Sequence, residues 1–162
     1  MKWTKSLLNF FYPNRCPACD CFLTAQELLC TACSEKLVLK PEDYCQTCGK
    51  PDCMCSRTSL AYDGAVVCSA YAEGTVPAIL QLKTSQNTNF AIFAARILAE
   101  RLQKTELRFD CVMPVPMHRS KERMRGYNQA EVFAKALGKE LQLPVEKNLV
   151  KRVFNQLIKF GE

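Results

Sequence analysis

Nine of the eleven cysteines fall between Cys16 and Cys55, and all of these but Cys21 come in close pairs: Cys16-Pro-Ala-Cys19, Cys30-Thr-Ala-Cys33, Cys45-Gln-Thr-Cys48 and Cys53-Met-Cys55. A CxxC turn sets two thiolates on one side of a metal ion. A second pair then completes the tetrahedron that Zn(II) favours. The ten residues between the first two pairs suffice for a turn or short hairpin, so Cys16, Cys19, Cys30 and Cys33 form the clearer candidate site. Cys45, Cys48, Cys53 and Cys55 form a less regular second one, because the loop is short and the last pair is CxC. A cross-braced arrangement, first pair with third and second with fourth, is the alternative, and Cys21 could stand in for Cys19. Gly49 after Cys48 suits the left-handed turn that closes such a knuckle. Around these cysteines aliphatic residues are sparse, and metal binding can supply the folding energy that a small core does not.

The second chemistry-bearing stretch is PVPMHRSKERMRGYNQAE, Pro114 to Glu131. Arg119, Lys121, Arg123 and Arg125 alternate along what reads as a basic loop between a strand end and a helix start. Asn128 is a suitable N-cap, and Glu131 three residues on makes NQAE a capping-box variant. Backbone N–H groups at a helix N-terminus favour an anion, and Gly126 lets a ligand approach the backbone closely. The local physics suggests a phosphate or pyrophosphate site, with a solvated basic loop as the alternative. His118, the single histidine, lies in this stretch. No catalytic triad, Cys–His nucleophile or carboxylate pair is evident.

The elements that would position these groups follow from periodicity. Val66–Tyr71 reads as a strand. Thr75–Leu82 reads as a short helix with Pro77 in its first turn. Asn89–Lys104 reads as an amphipathic helix with Phe90, Phe93, Ala94, Ile97, Leu98 and Leu102 on one face. Phe109–Pro116 reads as a buried parallel strand, and Asn128–Leu141 as a helix with Ala130, Phe133, Ala134, Leu137 and Leu141 inward. A further strand begins near Leu143–Val145. The alternation argues for an α/β fold with an open sheet, whose ligands sit beyond the carboxyl ends of the strands. Cys68 and Cys111 read as buried core thiols. The composition break near Ser56–Leu60 suggests two units, a zinc-ribbon unit over 1–58 and an α/β unit over 59–162.

The whole chain has 162 residues, 48% hydrophobic, and a formal net charge of +6. This composition excludes a disordered chain and permits, without requiring, a phosphate-rich partner. Neither a signal peptide nor an apolar run of membrane-spanning length is apparent, so a cytosolic address is the default. There, such cysteines read as metal ligands rather than disulfides. Trp3, Leu7, Leu8 and Phe11 have helical spacing. They fit packing on the chain's own domain, or a peripheral contact with the inner face of the membrane.

The order CPxC, CxxC, CxxCGK, a helix ending in LK, then PVPMHRSKERMRGYNQAE closely resembles the ComF family of competence proteins. The resemblance runs from Phe11 to about Val150. It implies a double zinc ribbon ahead of a type I phosphoribosyltransferase-like open parallel sheet, and a cytosolic protein that assists DNA uptake in natural transformation. Single-stranded DNA and a DNA-translocating helicase are the partners it implies. Pro114 to Asn128 would handle pyrophosphate, with Arg119, Arg125 and Gly126 carrying most weight, and Lys83 would match a family position nearby. The family fold expects a later strand ending in two acids and then Thr-Thr-Gly, which is absent up to Glu162. The expectation is therefore an incomplete sheet in a chain cut short, with little or no transferase activity. Phosphoribosyl pyrophosphate with Mg(II) would enter only if the missing segment were supplied. The alternatives are a single-stranded-DNA-binding zinc module without enzymology and a zinc adaptor that docks a helicase.

Overall fold

The computed structural model describes residues 13–150 and 152, apart from 39, 41, 42, 54, 56–59, 73 and 86. The apolar stripe Trp3–Phe11 and part of the expected domain boundary lie outside the described residues. Five helices are present among them: α1 (Thr31–Leu37), α2 (Val76–Thr84), α3 (Asn89–Leu102), α4 (Arg119–Arg125) and α5 (Gln129–Leu141).

The long helices form where the periodicity places them. Pro77 sits in the first turn of α2, where its missing N–H is harmless. In α3 the buried face is Phe90, Ala91, Ala94, Ala95 and Ala99. The face is thus rotated toward the alanines, and Ile97 and Leu98 are only half-buried. Small side chains let two helices approach closely: Ala95 and Ala99 pack against Leu137 of α5, with Leu98, Leu102, Phe133 and Leu141 around them. Packing of α3 on α5 is the main helix–helix contact among the described residues. Asn128 caps α5 by accepting from the Ala130 N–H at 3.0 Å. Gln142, left-handed at φ 57, ends it.

The open parallel sheet is the expectation that the structure does not bear out among the described residues. Val66–Tyr71 forms no ladder there. Instead the Val67 carbonyl accepts from the Arg101 guanidinium, and Ala65 N–H donates to Gln46 at 2.8 Å. Phe109–Pro116 contributes a single parallel bridge, Val112 to Val145. Val112 N–H donates to Pro144, and Glu146 N–H donates back to Val112, at 2.9 and 3.0 Å. In a parallel ladder the next donor on this strand is residue 114, a proline with no N–H, and Pro116 comes two residues later. The ladder therefore stops after one bridge. That isolated bridge joins two short parallel segments, with α4 and α5 lying between them in the chain.

The cysteine-rich head and the helices share one hydrophobic cluster. Cys16, Leu29 and Leu37 from the head pack with Ala78, Leu82, Phe90 and Ala91 from α2 and α3. Polar contacts reinforce this joint. Asn14 donates to the Thr24 and Glu27 carbonyls, both at 2.8 Å, and accepts from Asn89 at 2.8 Å.

Candidate metal centres and basic cavity

The first ribbon is built on a knuckle. Asp20 N–H donates to the Cys16 carbonyl at 2.8 Å, and Cys16 N–H donates to Cys21 at 2.9 Å. The second repeats it: Gly49 N–H to Cys45 at 2.7 Å, and Cys45 N–H to Lys50 at 2.9 Å. The same position is left-handed in both, Asp20 at φ 62 and Gly49 at φ 76. Aspartate tolerates this conformation better than most residues, and here Arg15 holds its carboxylate at 2.9 Å. The other half of the first site is a helix start. Cys30 is the N-cap of α1, and Cys33 lies in its first turn. There the helix dipole favours thiolates.

The thiols then converge as two sequential sets, Cys16, Cys19, Cys30, Cys33 and Cys45, Cys48, Cys53, Cys55. Within each set all sulfurs lie within 4.8 Å of one another. The cross-braced alternative is excluded. Cys19 and Cys30 sulfurs are 3.6 Å apart, and Cys45 and Cys55 sulfurs 3.7 Å. Four thiolates around zinc at about 2.3 Å stand about 3.8 Å apart, whereas a disulfide is about 2.05 Å long. The donor set and spacing fit tetrahedral zinc and not disulfides. Cys21 lies outside the first set and is exposed. Backbone N–H donation from Cys21 leads in lowering Cys19 to about 6, and donation from Cys48 leads in lowering Cys45 to about 6. Each set thus holds one thiol shifted toward the thiolate form that a metal requires. Burial pushes Cys33 up, and the Cys53 thiol pushes Cys55 up.

Of the two expected core thiols, Cys68 is buried and pushed up to about 11 by desolvation. Cys111 is only half-buried.

Arg101 ties the second ribbon to α3. Its guanidinium donates to the Tyr44 hydroxyl at 3.3 Å and lies 5.9 Å from the centre of that ring. Nothing in the one-dimensional pattern distinguished Arg101 from the other cations of an amphipathic helix.

The basic stretch is not a loop. Arg119–Arg125 is helix α4, capped by His118, whose Nδ1 accepts from Ser120 N–H at 3.3 Å. Gly126 at φ 82 closes it with a bond to Glu122 at 2.8 Å. Glu122 near the start and Arg123 and Arg125 at the end suit the helix dipole. In a helix, cations at every second position split into two i,i+4 pairs on different faces. Arg119 and Arg123 line a cavity of about 620 Å³ together with His118, Asn128, Glu131, Lys147 and Arg152. Lys121, Arg125 and Gly126 do not line it. Asn128 is buried, and besides capping α5 it donates to the Val115 carbonyl at 3.1 Å.

Glu131 makes no capping box. Its carboxylate pairs with Lys135 at 2.7 Å and with Lys147. These two ammonium groups, Lys135 first, hold it below the usual carboxylate range. Lys83 is exposed in the last turn of α2 and does not line the cavity, although Tyr127 donates to the neighbouring Leu82 carbonyl. Lys147 and Arg152 were missed from sequence. The signal was the parallel register: the chain leaving Val145 emerges at the same end as the chain leaving Val112.

Two metal-ligand sets on paired knuckles define the class, a double zinc-ribbon protein. Comparison with known proteins agrees: a double zinc ribbon domain matches residues 7–72. Competence protein F of Haemophilus influenzae is 29% identical over 163 residues, covering 91% of this chain and 69% of that protein. Together the two findings support a ComF-family assignment. No solved structure matches it. Among the described residues, no helix is long and apolar enough to cross a membrane.

Proposed function

We propose that this chain serves in competence as a handler of single-stranded DNA, with two zinc ions as structural clips and the basic cavity as the phosphate site. The observation that carries this reading is the convergence of Arg119, Arg123, Lys147 and Arg152 on one open cavity beside the start of α5. Among the described residues, only two carboxylates, Glu122 and Glu131, line the same space. The name of the Haemophilus relative supplies the process. Zinc, when bound, supplies cross-linking rather than chemistry, because four thiolates leave no open coordination position. The partner implied by the family resemblance, a DNA-translocating helicase, belongs to this reading.

The test is fluorescence anisotropy of a labelled single-stranded oligonucleotide against salt. Affinity should fall linearly on a log–log scale, at about 0.7 per phosphate neutralised. Arg119→Ala with Arg123→Ala should reduce both affinity and slope. Binding that ignores salt, or is unchanged in the double variant, sinks the proposal.

The parallel bridge between Val112 and Val145 favours a second reading. In a phosphoribosyltransferase-like fold the same cavity, at a strand's carboxyl end, would take the pyrophosphate of a phosphoribosyl donor with Mg(II). Saturable binding of isotope-labelled phosphoribosyl pyrophosphate, lost in the same double variant, would support it over DNA.

A further inference from the structure

The basic cavity already contains an anion of the protein's own. Glu131 stands in the first turn of α5, where an incoming phosphate would also gain from the helix dipole. Its carboxylate holds Lys147, which lines the same cavity. Arg119 and Arg123, by contrast, are exposed and make no ion pair among the described residues. A phosphate entering the cavity therefore meets the guanidinium groups of Arg119, Arg123 and Arg152, and one ammonium group that it must take from Glu131.

Building on the reading of the cavity as a phosphate site, we propose that Glu131 is its built-in competitor, and that its hold on Lys147 makes the site select a phosphate polymer over a single phosphate. A lone phosphate or pyrophosphate has only the cavity's contacts with which to displace Glu131. A single-stranded nucleic acid continues past the rim, where the opposite face of α4 presents Lys121 and Arg125. Those further contacts raise the effective concentration of the phosphate inside.

The experiment uses the zinc-loaded full chain, a labelled single-stranded oligonucleotide, and inorganic pyrophosphate as competitor. Wild type should bind the oligonucleotide, with pyrophosphate a poor competitor. Glu131→Gln should bind the oligonucleotide several-fold more tightly and let pyrophosphate compete. The gain should vanish when Lys147→Gln is added, a reversal that a merely structural role for Glu131 would not produce. Glu131→Asp, which keeps the charge, should stay close to wild type, and circular dichroism checks that each variant is folded. If wild-type binding depends on Arg119 and Arg123 but Glu131→Gln leaves affinity and competition unchanged, the competitor role is overturned. If wild type binds no oligonucleotide, the underlying phosphate-site reading fails, and the inference with it.

Discussion

Gly49 and Gly138 show how single residues hold the site in place. At φ 76, Gly49 sits where an L side chain is strained, and a Cβ there would meet Ala65 and Val67 at 3.2 and 3.3 Å. Gly49→Ala should cost about 1–2 kcal/mol and weaken zinc at the second site, read by competition with a chromophoric chelator. Gly138 lies where α5 passes the segment after it, and an added Cβ would fall 2.7 Å from Val145 and 2.9 Å from the Leu143 carbonyl. Gly138→Ala should destabilise by about 1–3 kcal/mol, measured by urea unfolding. Glu131 carries a pH signature. Its carboxyl titrates below its ordinary 4.5 in the folded chain, because Lys135 and Lys147 favour the charged form. The stability it contributes is present above pH 4.5 and is lost as pH falls through the lowered value. The pair is partly exposed, so the contribution stays below about 1 kcal/mol. Stability curves of wild type and Glu131→Gln should differ near neutrality and converge in acid. A gap that persists unchanged there would show that the ion pairs are not its source.

Among the elements, α3 does the most positioning. It packs its alanine face on α5, joins the first ribbon through Phe90 and Ala91, and grips the second through Arg101. Ala95 is fully buried between the helices. Ala95→Leu should force them apart at a cost of about 1–3 kcal/mol, lowering the melting temperature. Helix α4 contrasts with α3: it buries no residue and owes its form to caps and charge placement. Much of the fold and of the metal sites was legible at this scale. The spacing of the cysteine pairs, the Asn128 cap and the inner face of α5 are all local features. The helical form of Arg119–Arg125 was not, because alternating charge without a buried stripe leaves no hydrophobic periodicity to read.

Across the whole molecule, the two metal sites are coupled unequally to the rest. Cys16 is fully buried, and it belongs to the cluster that joins the ribbon to α2 and α3. The second set lies apart from that cluster, with Arg101 and Tyr44 as its link. Cys16→Ser should therefore unfold the ribbon and loosen the helices together, at a cost of about 4 kcal/mol or more. Cys53→Ser should reduce bound zinc from two ions to one and leave helical melting nearly intact. Zinc stoichiometry and the circular dichroism melt, measured on both variants, check this. Equal effects of the two substitutions would contradict the unequal coupling.

By itself the sequence determined the ligand thiols, the knuckle turns, the long helices and the presence of a basic segment. Each depends on residues within a few positions of one another, where backbone geometry sets the outcome. Only the tertiary structure decided which pairs share a metal and which cations share a cavity. It also decided that Arg101 would bridge to the second ribbon and that the parallel pairing would stop at Val112. The physical reason is register. Lys147 faces Glu131 and lies in the space lined by Arg119 and Arg123 because Val145 pairs with Val112, far earlier in the chain. Pro114 then denies that pairing its next hydrogen bond.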